Sequence, residues 1–183
     1  MYSGYCICFD PPTSLTGFDF ITTALRHTLL HILSSPTARA RLLAELRTLP
    51  YPPDSTVSEI TIDHLPCLRA YILESLRLFP LLTPYLPKCC PAASATLPDG
   101  THIPGGMEVA VSFVALQRDR SVYGGDVECF RPERGVMERQ VGLVFMSGRY
   151  QCLGKNLALL EVGKVVGELV RRFEMSVVDH AEV

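Results

Sequence analysis

A chain of 183 residues with 48% apolar side chains is long enough for one ordinary domain, burying roughly 70% of its unfolded surface. Its formal charge of −2 excludes the strongly basic character of a nucleic-acid-binding domain. No run reaches the roughly 18 apolar residues of a membrane span, and residues 1–15 lack the basic start and apolar core of a signal peptide, so the chain as written reads as cytoplasmic. Seven cysteines, an odd count without any Cys-x-x-Cys pair, read as reduced intracellular thiols.

Residues 1–16 carry Cys6, Cys8, Pro11 and Pro12 but no helical periodicity, and read as an irregular lead-in. Cys6-x-Cys8 has no second ligand pair at the spacing of a zinc finger. Residues 18–34 place Leu25, Leu29 or Leu30, and Leu33 on one helical stripe. Ser35-Pro36 then supplies an N-cap and a first-turn proline for a second helix through Leu49, with Arg39, Arg41, Glu45 and Arg47 on its solvated face.

From residue 62 to 79, Leu65, Leu68, Ile72, Leu76 and Phe79 recur at three and four residues, so the spacing predicts an amphipathic helix. Thr61 is its expected N-cap, and Pro80 and Pro84 stop it. Glu74 and Arg77 are i,i+3 neighbours, and on an exposed face such a pair is worth only about 0.2–0.5 kcal/mol. Residues 96–111 read as short strands joined by Pro98-Asp99-Gly100 and Pro104-Gly105-Gly106 turns, with a strand or a helix start over residues 109–116. His102 is solitary and reads as a turn residue.

The most informative stretch is Phe145-Met146-Ser147-Gly148-Arg149-Tyr150-Gln151-Cys152-Leu153-Gly154, directly before an apolar helix over residues 152–172. Leu153, Leu157, Leu160, Val165 and Leu169 form that helix's expected buried face, and a strand is expected over residues 173–178. Gly148 and Gly154 permit turn geometry and a close flat ligand. The positive end of the following helix stabilises a thiolate. Cys152 therefore reads as a metal ligand or a nucleophile, against the commoner fate of a cysteine, burial as a small apolar group.

The aromatic, glycine, cysteine and glycine at these spacings resemble the haem-binding loop of the cytochrome P-450 family, in its filamentous-fungal branch, which is associated with secondary metabolism. Tyr150 stands where the family usually has an arginine, with Arg149 one step away, and Met146 stands where a glycine is usual. Glu74-Ser75-Leu76-Arg77 resembles the family's Glu-x-x-Arg motif, and Phe130-Arg131-Pro132-Glu133-Arg134 the segment whose arginine reaches back to that pair. Gln117-Arg118-Asp119 resembles a His-Arg-Asp with glutamine in the first place. Residues 17–26 resemble the long oxygen-activating helix, but Asp19 is followed by Phe20 instead of threonine; Thr23, one turn later, is the substitute hydroxyl.

The resemblance implies a mainly α fold with a small β component (α+β), running from the oxygen-activating helix to the helix after the cysteine loop. Residues 17–183 would be a partial, C-terminal piece of the catalytic domain behind a lead-in of residues 1–16, without counterparts of the membrane anchor, the helices roofing the haem and the closing hairpin. It implies haem b with Cys152 as axial thiolate, Phe145 shielding the sulfur, Gly148, Arg149 and Gly154 around the macrocycle, and Glu74, Arg77 and Arg134 fixing the loop. Asp19 and Thr23 are the implied proton-delivery pair. The implied activity is insertion of one oxygen atom of dioxygen into a small apolar organic substrate. A flavoprotein reductase is the implied electron donor, steered by Lys88, Arg134, Arg139, Arg149 and Lys155. The alternatives are a haem-binding or interaction fragment without turnover, and an inactive relic.

Overall fold

The computed structural model describes residues 11–50, 64–81, 87–134, 141–148 and 151–178. Helices α1 (Pro11–Leu33), α2 (Pro36–Leu46), α3 (Pro66–Leu78) and a long C-terminal helix, α6 (Lys155–Arg172), pack against one another. Their shared core is built on Ile32, Leu42, Leu68, Ile72 and Val166, together with Val141, Val144 and Phe145 from the segment before the cysteine loop. Between α3 and α6 lie two antiparallel ladders, one inside the other: β1 (Lys88–Cys89) pairs with β4 (Glu108–Val109), and β2 (Ala95–Thr96) with β3 (His102–Ile103). The short helices α4 (Phe113–Leu116) and α5 (Arg120–Tyr123) follow. The architecture is α+β with helices dominant.

α1 begins at Pro11, inside the stretch expected to be irregular. A proline in the first turn costs no hydrogen bond, since its missing N–H has no intrahelical acceptor there. Its fully buried line is Ala24, Thr28 and Ile32, one position away from the leucine stripe expected, while Leu25 and Leu29 are half-buried beside it and Leu30 is exposed. The small side chains of Ala24 and Thr28 let neighbouring helices come close, and the leucines flank that seam.

Ser35 caps α2 through its Oγ, which accepts the Ala38 N–H at 3.3 Å, with Pro36 in the first turn. α2 ends at Leu46, three residues before the expected Leu49. α3 begins at Pro66, later than the expected residue 62, and Thr61 lies outside the described residues. Its N-cap position, Leu65, offers no side-chain acceptor. Glu45 of α2 replaces it: Oε1 accepts the Cys67 N–H at 2.7 Å and Oε2 the Leu68 N–H at 3.0 Å. Every residue from Tyr71 to Leu78 is buried, so the last two turns of α3 have no free face. Phe79, the last member of the expected stripe, is exposed, because the residue before Pro80 is pushed out of helical geometry (φ −125°, ψ 78°).

The largest correction concerns α6. Its buried face is Leu159, Val162, Gly163, Val166, Gly167 and Val170, whereas three of the expected members, Leu153, Leu157 and Val165, are exposed. Gly163 and Gly167 lie one turn apart on the inner side and permit close backbone approach. That leaves the leucine line pointing outward. Residues 173–178 run on without a strand partner among the described residues, contrary to the strand expected there.

Candidate functional site

The cysteine loop hangs from the core by its first residues. Val144 and Phe145, in a single 3₁₀ turn (Leu143–Phe145), are buried. The chain then reverses at Met146, whose φ of 63° and ψ of −177° belong to a region essentially reserved for glycine. This is where the sequence departs from the glycine usual in the motif, and Met146 holds glycine-like backbone at a cost of about 1–3 kcal/mol. Gly148 also has a positive φ, 63°, and a Cβ there would meet nothing within 4 Å.

Two main-chain bonds close the loop. The Gln151 N–H donates to the Gly148 carbonyl at 3.1 Å, and the Cys152 N–H to the Phe145 carbonyl at 2.8 Å. Cys152 is thereby fixed one hydrogen bond from the buried phenylalanine, with its side chain exposed, just before Gly154, the N-cap of α6. The sulfur lies at the positive end of that helix. Two leucines close to it in sequence face solvent: Leu153 is 101% exposed and Leu157 58%. Lys155 turns back, its Nζ 5.8 Å from the Phe145 ring centroid. Arg149 lies outside the described residues, as do Arg139, Tyr150, Cys6 and Cys8.

Behind the loop, α3 carries a charge cluster that is almost wholly inside the protein. Arg77 Nε donates to Glu74 Oε2 at 2.7 Å and Nη2 to Oε1 at 2.9 Å, with both side chains at 0% exposure. The guanidinium also donates to the Gln117 carbonyl at 3.0 Å and the Cys129 carbonyl at 3.3 Å, and lies 5.1 Å from the Tyr123 ring centroid. Glu74 Oε1 accepts the Arg131 N–H at 2.8 Å and, at 3.4 Å, Arg134 Nε. Glu74 thus touches both Arg77 and Arg134, and the pair it forms with Arg77 is not a surface pair.

Several partners carried no local sequence signal. Asp126 Oδ1 takes Arg134 Nη1 at 2.8 Å and its Oδ2 takes Arg131 Nη1 at 2.5 Å. The hydrogen bonds from Arg134, then Arg131, hold its carboxyl well below the usual carboxylate range. Burial works most strongly against the Arg134 cation, but the bond to Asp126 and the charges of Glu74 and Asp126 together outweigh it and keep the guanidinium pKa above its ordinary value. Gln117 Oε1 accepts the Tyr123 hydroxyl at 2.7 Å. His31 of α1 pairs Nδ1 with Ser75 Oγ at 3.1 Å and stacks 4.7 Å from Phe130; burial, then His27 and Arg77, lower its pKa to about 4.

Arg134 is 8% exposed and committed to this cluster, so it does not belong to the surface patch expected to steer a donor. Asp19 is exposed in the third turn of α1, and Thr23, one turn on, is half-buried. Thr23 borders an open cleft of about 530 Å³ shared with Arg26, His27 and Val177.

The arrangement suits haem. A single exposed cysteine sulfur fits a metal whose other ligands come with a macrocycle, and among the described residues no cluster of three His, Cys, Asp or Glu side chains offers a rival metal site. The open side at Gly148 and the apolar ledge of Leu153 and Leu157 leave room for a flat apolar group.

An exposed cysteine at a helix head, a buried Glu-x-x-Arg pair meeting a second arginine, and small ladders between helices together define a cytochrome P-450. The cytochrome P-450 family model matches residues 15–183, and the chain belongs to that family. Cytochrome P-450 monooxygenase ABA1 of Pyricularia oryzae is 39% identical over 177 residues, covering 90% of this chain and 34% of its own length. The aba1 monooxygenase of Botryotinia fuckeliana is 31% identical over 180 residues (92% and 35%), and pisatin demethylase of Fusarium vanettenii 31% over 166 residues (88% and 32%). The filamentous-fungal affinity read from the cysteine loop is therefore met, and the chain spans about a third of the length of the curated relatives it matches. Among the described residues no helix is long and apolar enough to cross a membrane.

Proposed function

We propose that this chain forms the thiolate-bearing part of a haem-thiolate monooxygenase that binds haem b through Cys152. The observation that carries the reading is the exposed Cys152 thiol, held at the head of α6 by its 2.8 Å main-chain bond to buried Phe145. When bound, the haem supplies activation of dioxygen for insertion of one oxygen atom into a small apolar organic substrate, with electrons from a flavoprotein reductase.

The chain's own residues do the positioning. Cys152 donates its sulfur. Phe145 would shield the sulfur from water, while Gly148 and Gly154 would leave the space beside it free of side chains for a flat group. Arg149 is assigned to a haem propionate. Glu74, Arg77 and Arg134 hold the framework from which the loop hangs. Asp19 and Thr23 are the proton-handling pair: the Thr23 hydroxyl stands one turn from the Asp19 carboxylate, in place of the neighbouring alcohol that Phe20 displaces. A cytoplasmic, reducing setting is supported by the free thiols of Cys67, Cys89, Cys90, Cys129 and Cys152.

Phe20 favours a second reading, a haem-binding piece without turnover, because a phenyl ring neither donates a proton nor holds the water that would.

The test is spectroscopic. Expressed with a haem supply, reduced and exposed to carbon monoxide, the wild type is expected to show the red-shifted Soret band of thiolate ligation, and Cys152→Ser to lose it. A colourless wild-type protein, or an unchanged band in the variant, overturns the assignment. Turnover with a reductase then separates the two readings.

A further inference from the structure

We propose that Asp126 is a positioning residue for the cysteine loop: it supplies the fourth charge that neutralises the buried Glu74, Arg77 and Arg134 cluster and is the principal anchor of Arg134. The link to haem ligation rests on the reading of Cys152 above; the anchoring itself does not.

The argument begins with charge. Glu74 contributes one negative charge and Arg77 and Arg134 one positive charge each, so the three alone leave one uncompensated cation at side-chain exposures of 0%, 0% and 8%. An unpaired charge in such a place is strongly unfavourable. Asp126, 34% exposed, supplies the balancing charge inside the cluster at 2.8 Å from Arg134, while its second oxygen pairs with Arg131, whose 60% exposed side chain is solvated outside it. Distances decide which partner dominates. Glu74 meets Arg134 only at 3.4 Å, whereas Asp126 takes Nη1 on its carboxylate at 2.8 Å and Nη2 on its own carbonyl at 2.6 Å. The Tyr123 carbonyl accepts Nη1 at 2.5 Å.

The local fold is arranged for this grip. Gly124 takes a φ of 86°, turning the chain after α5 so that Asp126 faces back toward Arg134. The segment from Tyr123 to Arg134 is thereby closed on itself, and its far end is bound to α3 through the Arg131 N–H and Glu74. Without the Asp126 charge, Arg134 has Glu74 as its remaining carboxylate and competes there with Arg77. That disturbs α3, whose apolar side chains share one core with Val144 and Phe145, the root of the cysteine loop.

Hydrogen exchange of the full chain tests the anchoring without haem. Asp126→Asn is expected to speed exchange about tenfold in the peptide spanning residues 145–154, where the Cys152 N–H is bonded to Phe145, with α2 unchanged. Asp126→Glu is expected to restore slow exchange, and Arg131→Gln, which removes only the exposed partner, to change it less than about threefold. No acceleration, equal acceleration everywhere, or failure of the glutamate to rescue overturns the proposal. Should Asp126→Asn not fold, the double variant Asp126→Asn with Arg134→Gln, whose cluster is again neutral, is expected to fold; its failure also overturns the proposal. In protein that takes up haem, the asparagine variant is expected to lose part of the red-shifted carbon monoxide band and the glutamate variant to regain it. A wild type that takes up no haem removes the reading of Cys152 but leaves the exchange result to judge Asp126.

Discussion

α3 and the Cys152 loop invert the usual distribution of polarity. The helix buries a carboxylate and a guanidinium completely, while the loop and the head of α6 hold Leu153 and Leu157 out toward solvent. Buried charge is tolerated in α3 because Glu74 and Arg77 are bidentate and the guanidinium also reaches the Gln117 and Cys129 carbonyls. Exposed leucine next to a thiol has no such internal compensation and suits a surface that receives an apolar ligand.

Breaking one partner in each region separates the two roles most sharply. Arg77→Leu leaves Glu74 buried without its counter-ion and is expected to cost about 3–5 kcal/mol in urea denaturation. Cys152→Ser, at an exposed site, is expected to stay within about 0.5 kcal/mol of the wild type. Comparable losses would mean that the loop is itself part of the structural core.

Next in size is the cap that α2 lends to α3. Glu45→Ala removes both acceptors from the N-terminus of a helix with no cap of its own, and a loss of about 1–2 kcal/mol is expected from the same titrations. Of similar size is an acid effect at His31. Its pKa is held at about 4 against an ordinary 6.5, so the half-buried ring is neutral in the folded state at neutral pH and protonates more readily when unfolded. Its contribution is complete above pH 6.5 and is lost as pH falls toward 4, a loss on the order of 1–2 kcal/mol after allowing for partial exposure. His31→Gln is expected to flatten that part of the stability profile; an unaltered slope would assign the acid sensitivity elsewhere. Smallest is a gain: Met146→Gly relieves a backbone conformation that methionine adopts at a cost, and thermal melts are expected to show up to about 1 kcal/mol of stabilisation after the extra entropy of the unfolded glycine.

The sequence signals that held were those with a local mechanism. Ser35-Pro36 caps α2 because an oxygen and a proline act within one turn, and Leu65, Leu68, Ile72 and Leu76 are all buried because their spacing matches a helix. The misreading of α6 has an equally physical cause. Its leucines and its valines both recur at helical spacing, and only Gly163 and Gly167, which contribute nothing to a hydrophobic pattern, mark the side that touches other helices. The helical start at Pro11 and the one-residue offset on α1 have the same origin, since small residues and prolines position helices without appearing as apolar stripes. The Asp126 contact was illegible because a turn brings it to Arg134, and the cap at Leu65 because Glu45 comes from another helix. Both are tertiary facts with no local signature.

The amide of Cys152 shares its proton with the carbonyl of Phe145, and that ring is wedged among the side chains of the helical interior. Sulfur and ring therefore behave as two ends of one short lever. A change in how the interior accommodates the aromatic group, such as Phe145→Leu, reaches the thiol as a displacement.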